Sequence, residues 1–174
     1  MKTLLLGAIL SGLMLLSPVH ARNLQVYQGG VTPPLVLNDL NGKTHDLKQY
    51  RGKVVLINFW VTWCPPCRAE MPSMQRLKNK MAGKPFVILA VDMGETEAEV
   101  KAFLPQVKTD FTVLMDKDGR ALKTWKVFAF PTSYLVDAQG KIRYGLYGAS
   151  EWDAPDKVEK ITQLLPHAGN KRSP

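Results

Sequence analysis

Two apolar stretches give the chain its first structural signal. Residues 54–61 are apolar at nearly every position, without the alternation of a strand that faces water, and residues 86–91 repeat this pattern. Strands that are apolar on both faces lie inside a sheet that other elements cover on both sides. We therefore predict two buried strands, of which the first lies in the centre of the sheet.

Turn and cap signals divide the rest of the chain into shorter elements. Asn41-Gly42 favours a two-residue turn, which predicts a hairpin between residues 35–37 and 44–47. Further strands are predicted over residues 111–115, 132–136 and 141–147, and the last two pair as an antiparallel hairpin. Helices are predicted over residues 64–81, 95–104, 120–125 and 155–165. Pro72 is expected to kink the first helix, and Pro105 is expected to stop the second.

The order of these elements predicts the fold class. A hairpin is followed by strands that alternate with helices, and then by a second hairpin and a last helix. Mixed parallel and antiparallel strands with helices on both faces make a three-layer α/β sandwich. Since no long linker divides the chain, we predict one domain over residues 35–166, with an extended lead-in over 22–34 and a polar tail over 167–174.

The first 21 residues have the layout of a secretory signal peptide. Lys2 supplies the positive charge, residues 4–16 are apolar, and Val19-His20-Ala21 resembles a small-x-small cleavage site. The apolar run of 13 residues is shorter than the about 20 residues that span a bilayer. We predict cleavage after Ala21 and a periplasmic protein, with an uncleaved membrane anchor as the alternative.

The charge of the chain is basic but dispersed. Lys and Arg number 23 against 15 Asp and Glu, for a formal net charge of +8, or +7 once Lys2 is removed with the signal peptide. The basic residues do not form one block interleaved with aromatic residues, so the charge favours solubility over nucleic-acid binding. We expect a monomer with no nucleic-acid partner.

The chain has two cysteines, Cys64 and Cys67, which lie between the first buried strand and a predicted helix. As a structural disulfide this pair closes a very short loop, which removes little entropy from the unfolded chain. A structural zinc site needs four ligands, and the histidines beyond the signal peptide, His45 and His167, lie far away in the sequence. The C-x-x-C spacing between a strand and a helix therefore favours a redox-active dithiol that uses no metal or other cofactor.

The predicted helix start gives the two cysteines different roles. Unpaired backbone N–H groups and the positive end of the helix dipole favour a thiolate at Cys64, which we predict to be the nucleophile. Cys67 lies about one turn inside the helix, where it can resolve a mixed disulfide. Pro65 and Pro66 carry neither an N–H donor nor a charge, so they withhold further stabilisation of the thiolate and argue against a strongly oxidising couple.

Residues 63–72, Trp-Cys-Pro-Pro-Cys-Arg-Ala-Glu-Met-Pro, resemble the active site of the TlpA-like branch of the thioredoxin superfamily, which includes ResA-like and CcmG/DsbE-like proteins. The resemblance covers residues 33–165. It implies a thioredoxin-like fold with an N-terminal hairpin and a central insertion, which residues 93–126 match. Pro131 matches the cis-proline that faces the dithiol in thioredoxin-like proteins, and Pro72 matches the family's helix-kinking proline.

The resemblance also implies roles for the residues around the dithiol. The implied substrate-binding residues are Trp63, Pro65, Pro66, Phe130, Pro131 and Thr132. Glu70 matches a glutamate of this branch that follows the second cysteine by three residues, which implies an acid/base for Cys67; an exposed helix glutamate is the alternative. Asn58 stands where thioredoxins have a buried Asp, and its amide cannot accept the proton of the resolving thiol. Residues 129–132 depart from the Gly-x-Pro-Glu that is common in CcmG-like proteins, which argues against a role restricted to apocytochromes.

We therefore predict an exported thiol–disulfide oxidoreductase that reduces disulfides of periplasmic proteins. The resemblance implies a membrane electron donor of the DsbD or CcdA type and substrates such as apocytochrome c or proteins with copper-site cysteines. The alternatives are a thiol oxidase or isomerase of the same fold, and a Cu(I) chaperone in which Met71 or Met74 joins the two thiolates. A thioredoxin-fold peroxidase is disfavoured because the residues before Cys64 lack the Pro-x-x-x-Thr/Ser-x-x-Cys pattern.

Overall fold

The computed structural model describes residues 23–166 of the 174-residue chain. The predicted signal peptide, its cleavage after Ala21 and the predicted polar tail lie outside the described residues. Among residues 23–166, no helix combines the length and the apolar character that crossing a membrane requires.

Eight strands form one mixed sheet. They are β1 Gln25–Val26, β2 Val36–Asp39, β3 Thr44–Asp46, β4 Val54–Trp60, β5 Phe86–Met93, β6 Thr112–Asp116, β7 Thr132–Val136 and β8 Ile142–Tyr147. Their order across the sheet is β1-β8-β7-β4-β5-β6-β2-β3. The β4–β5 and β5–β6 pairs are parallel and the other pairs are antiparallel. Strand β4 is buried along its whole length, which confirms the predicted central strand.

Four α-helices and one 3-10 helix cover the sheet. They are the 3-10 helix Leu47–Tyr50, α1 Pro65–Lys80, α2 Glu97–Val107, α3 Arg120–Thr124 and α4 Pro155–Leu164. Successive residues of β4 point to opposite faces, so each face has its own apolar core. On one face, Leu56 and Trp60 pack with residues of α1, α2 and α4. On the other face, Ile57 and Phe59 pack with residues of α3 and the 3-10 helix. The predicted three-layer, thioredoxin-like sandwich is confirmed.

Helix α2 differs from its prediction at both ends. It begins after Thr96, whose side chain caps the helix by accepting the N–H of Glu99, while the Glu99 carboxylate accepts the N–H of Thr96. This reciprocal cap fixes the start two residues later than predicted. Pro105 lies inside the helix and does not stop it, because a proline near the C-terminus removes only one backbone hydrogen bond. Lys108, in the left-handed conformation, ends the helix instead.

The predicted lead-in also contributes a strand that the sequence pattern did not indicate. Gln25 and Val26 form β1, which pairs antiparallel with β8 at one edge of the sheet. Backbone hydrogen bonds to β8 hold these two exposed residues, so no apolar alternation marks them in the sequence.

Candidate active site at the start of the first helix

The two cysteines lie where the central strand passes into helix α1. Cys64 caps the helix, and its Sγ accepts the N–H of Cys67 at 3.3 Å. The two side chains form a disulfide, with the Cα atoms 5.3 Å apart, so the structure shows the oxidised state. Cys64 is 5% exposed and Cys67 is 1% exposed. Both cysteines are buried, and the slightly more exposed residue is the predicted nucleophile.

The first turn of α1 determines which donors face the sulfur of Cys64. Pro65 and Pro66 occupy the first two helical positions and offer no N–H, so the amide of Cys67 is the first N–H donor of the helix. In the reduced protein this amide and the helix dipole favour a thiolate at Cys64. Only one of the first three helical residues has a backbone N–H, so the Cys64 thiolate is stabilised less than it would be at the start of a helix without prolines.

The loop before β7 forms the second side of the site. The Phe130–Pro131 peptide bond is cis, and the carbonyl oxygen of Pro131 accepts the N–H of Gly148 at 2.7 Å. The exposed side chain of Trp63 lies edge-on to the ring of Phe130, with 6.5 Å between ring centroids. The structure thus places an aromatic pair between the loop and the dithiol, and Pro65 and Pro66 are exposed next to it.

Three residues in and beside this loop are placed differently from their predictions. The first is Pro131, predicted to bind substrate, which is buried. Thr132, predicted to bind substrate, is buried on β7, and its hydroxyl donates to the carbonyl of Ala129 at 2.8 Å. It therefore holds the loop and presents no surface of its own. Phe128, which the sequence analysis did not single out, is 91% exposed in the same loop. An exposed phenylalanine close to the cis-proline extends the apolar surface beside the site.

Glu70 lies inside the protein, one turn beyond Cys67 on α1. It is 2% exposed, which excludes the alternative of an exposed helix glutamate. Its Oε1 accepts a hydrogen bond from Nδ2 of Asn58 at 2.8 Å, and its Oε2 accepts the backbone N–H of Ser150 and the indole N–H of Trp152, both at 3.0 Å. Three donors from two distant parts of the chain, strand β4 and the segment 150–152, therefore converge on one buried carboxylate.

Burial and hydrogen bonding act in opposite directions on this carboxyl. Burial raises the pKa of Glu70, and the hydrogen bonds from Asn58, Trp152 and Ser150 lower it, with a pKa of about 7 as the result. The nearby Glu151 carboxylate adds a smaller upward effect on this pKa. A carboxyl with this pKa can take up and release a proton at neutral pH.

The loop between β8 and α4, residues 148–154, is held on α1 by further contacts. The hydroxyl of Ser73 donates to the carbonyl of Glu70 at 2.7 Å and accepts the N–H of Trp152 at 2.9 Å. Outside the core, the guanidinium of Arg76 pairs with Glu151 and Asp153. These contacts fix the loop that supplies two of the three donors to Glu70.

A second buried acid lies at the end of the neighbouring strand. Asp92 is fully buried on β5, and burial, followed by the facing carboxylate of Glu95, raises its pKa to about 8. Glu95 in turn accepts hydrogen bonds from the backbone N–H and the hydroxyl of Thr62, two residues before Cys64. This pair was not predicted from the sequence: Asp92 is an acid near the end of an otherwise apolar strand, and Glu95 follows that strand.

Residues 23–166 contain no group of three or more His, Cys, Asp or Glu side chains that could hold a metal ion. His45 lies on the edge strand β3, where its ring bonds the carboxylate of Asp39 and the hydroxyl of Tyr50. Because both ring nitrogens make these hydrogen bonds, we assign the ring a structural role in the β2–β3 hairpin.

Comparison with known proteins gives one consistent result. The AhpC/TSA family matches residues 29–145. A thiol-disulfide oxidoreductase ResA of Bacillus thuringiensis subsp. konkukian is 41% identical over 135 residues, covering 77% of this chain and 78% of the relative. The ResA of Geobacillus thermodenitrificans is 35% identical over 164 residues, covering 92% and 94%. The thioredoxin domain of a thiol-disulfide oxidoreductase from Bacteroides vulgatus has 27% identity and a TM-score of 0.69, covering 82% of this chain and all of that one.

Proposed function

The chain belongs to the AhpC/TSA family and is a ResA-like thiol–disulfide oxidoreductase, and on this premise we propose that it is exported and reduces protein disulfides in the periplasm. The observation that supports the proposal is the Cys64–Cys67 pair at the start of α1. Cys64 caps this helix, and Glu70 is buried one turn beyond Cys67.

The proposed reaction moves two electrons from the dithiol to a substrate disulfide. The thiolate of Cys64 attacks one substrate sulfur, the substrate S–S bond breaks, and the other substrate sulfur leaves as a thiolate that takes up a proton. Cys67 then loses its proton and attacks the sulfur of Cys64. This second exchange breaks the mixed disulfide, releases the second substrate thiol and forms the protein disulfide seen in the structure.

Glu70 is proposed to hold the proton that Cys67 loses. It lies three residues after Cys67 on α1, on the same side of the helix, and its pKa of about 7 suits exchange with a thiol near neutral pH. Asn58, six residues before Cys64, has no titratable side chain and cannot take up this proton. We therefore assign the role of proton acceptor to the carboxyl of Glu70.

The direction of electron flow follows from the first turn of the helix. Because Pro65 and Pro66 remove two of the donors that would stabilise a thiolate, the reduced form is less favoured than in a strong oxidant. A redox titration of the dithiol against glutathione or dithiothreitol tests this. We expect a potential near or below that of thioredoxin, about −270 mV, whereas a value near the about −120 mV of DsbA would assign the chain to oxidation.

The proposed partners are exported proteins with cysteines, such as apocytochrome c or proteins with copper-site cysteines, and a membrane donor of the DsbD or CcdA type. Fractionation of cells that express the full chain, with N-terminal sequencing of the product, tests export and cleavage after Ala21. A product retained in the cytoplasm would contradict the proposal. Tight Cu(I) binding without reduction of insulin would favour the copper chaperone instead.

A further inference from the structure

The two oxygens of the Glu70 carboxylate have different surroundings. Oε2 accepts the backbone N–H of Ser150 and the indole N–H of Trp152, each at 3.0 Å, and both groups are donors only. A proton on Oε2 would point at these donors and find no acceptor among them. Oε1 faces the side-chain amide of Asn58 at 2.8 Å. The proton of neutral Glu70 therefore belongs on Oε1.

Of the three donors to Glu70 within residues 23–166, only Asn58 can serve both protonation states. It is fully buried on β4, and its Nδ2 donates to Oε1 of Glu70 and, at 2.9 Å, to the hydroxyl of Ser133 on β7. Its Oδ1 is buried and has no hydrogen-bond partner within residues 23–166. An amide has donors on one side and an acceptor on the other, so a flip of the side-chain amide exchanges which of them faces Glu70.

We propose that Asn58 is a proton-responsive positioning residue. Its side-chain amide flips, exchanging the places of Nδ2 and Oδ1, when Glu70 gains a proton on Oε1. In the ionised state Nδ2 donates to Oε1, as in the structure. In the neutral state Oδ1 takes that place and accepts the O–H of Glu70. The inference rests on the proposed role of Glu70 as the proton carrier of the dithiol.

Ser133 makes this flip possible without a second proton transfer. Its hydroxyl accepts from Nδ2 of Asn58 in the present arrangement, and a serine hydroxyl can donate as well as accept. After the flip, the hydroxyl donates to Oδ1. The register places Ser133 directly opposite Asn58 across the β4–β7 pair, so the contact survives the change.

Few charged groups face this cluster. The loop 148–154 contributes Glu151, which raises the pKa of Glu70, and strand β5 carries Asp92 next to β4. At the start of α1, Cys64 and Cys67 are joined as a disulfide and do not titrate in the oxidised protein. The oxidised protein therefore gives the cleanest titration, with Asp92→Asn as the variant that removes the buried acid of the neighbouring strand β5.

The test follows the side-chain Nδ2H₂ signals of Asn58 and the carboxyl carbon of Glu70 by NMR, in the oxidised protein, between pH 5 and 9. We expect both to change with the same midpoint, since one event moves them. Glu70→Gln mimics the neutral acid, because its NH₂ group replaces the O–H at Oε1. In this variant the Asn58 signals should stay at their low-pH positions at every pH, and Asp92→Asn should leave the midpoint unchanged.

Two results would overturn the inference: a Glu70 titration that leaves the Asn58 signals unmoved, or Glu70→Gln signals that match the high-pH wild type. Asn58→Leu supplies a functional readout. It removes one hydrogen bond from the anion and one from the neutral acid, so the Glu70 midpoint and the pH profile of kcat/KM for disulfide reduction should each move by less than about one pH unit, and a larger rise would show that Asn58 serves the anion alone. If the wild type reduces no disulfides, or if Glu70→Gln leaves this pH profile unchanged, the proposed function is wrong. The NMR titration would still show whether the Asn58 amide flips when Glu70 is protonated.

Discussion

Replacing Glu70 with Gln should change how the stability of the oxidised protein depends on pH. The folded protein holds the Glu70 proton up to a pKa of about 7, whereas the unfolded chain releases it around the ordinary value of 4.5. Between these two pH values the folded state binds a proton that the unfolded state has lost. The contribution of Glu70 to the free energy of unfolding is therefore largest below pH 4.5 and is lost as the pH rises to about 7.

The size of this effect follows from the two pKa values. One pKa unit corresponds to about 1.4 kcal/mol, so the shift costs the wild type about 3 kcal/mol of unfolding free energy between low pH and pH 8. Gln has no proton to lose, and its amide can keep the hydrogen bonds of the neutral acid. The difference in unfolding free energy, Glu70→Gln minus wild type, should therefore rise by about 3 kcal/mol over this range.

Urea denaturation of both oxidised proteins at pH 4, 5, 6, 7 and 8 measures this difference. Groups other than Glu70 titrate alike in the two proteins and cancel in the subtraction. Glu151→Gln is the matched control, because Glu151 is also on the loop 148–154 side of the site but its side chain is 63% exposed; its difference should stay within about 0.5 kcal/mol. A flat difference for Glu70→Gln across this pH range would refute the assignment of a raised pKa to Glu70.

Three further changes test other parts of the site. Trp152→Phe keeps a ring in the core but removes the indole N–H on Oε2, so the NMR titration midpoint of Glu70 should rise by about one unit; an unchanged midpoint would show that the indole donor has no effect. Asp92→Asn should gain stability relative to wild type in urea titrations as the pH rises from 5 to 9, since burial and Glu95 raise the pKa of Asp92 to about 8, and a gain that is constant over this range would contradict that pKa. Trp63→Ala should lower kcat/KM for protein substrates with little change in Tm, whereas Val31→Ala should change neither, since Val31 is also exposed but lies far away in the sequence. Equal effects of the two variants would show that Trp63 is not part of the substrate surface.

The sequence predicted the elements whose signals are local. The nearly continuous apolar run of residues 54–61 indicates a central strand, and Asn41-Gly42 indicates the β2–β3 hairpin. The structure contains both, but three residues, 40–42, connect the hairpin where a two-residue turn was predicted. The end of α2 was predicted incorrectly, since Pro105 costs only one hydrogen bond at that position. Strand β1 could not be predicted because backbone pairing with β8, and no side-chain pattern, holds it.

The active site also has parts that could be predicted from the sequence and parts that could not. The C-x-x-C spacing and the resemblance of the segment around it point to the dithiol, and the resemblance points to Pro131. The environment of Glu70 could not be predicted, because two of its donors, Ser150 and Trp152, lie about 80 residues away in a polar loop with no motif. Only the packing of the loop 148–154 on α1 brings them to the carboxylate.

Trapping of mixed disulfides tests the central claim, that Cys64 attacks substrate disulfides and Cys67 resolves the product. The full chain is expressed in the organism from which it comes, as the Cys67→Ala variant and as the matched Cys64→Ala variant. Disulfide-linked partners are separated by non-reducing electrophoresis and identified by mass spectrometry. We expect stable mixed disulfides through Cys64 in Cys67→Ala and few or none in Cys64→Ala. Equal trapping by the two variants would contradict this claim.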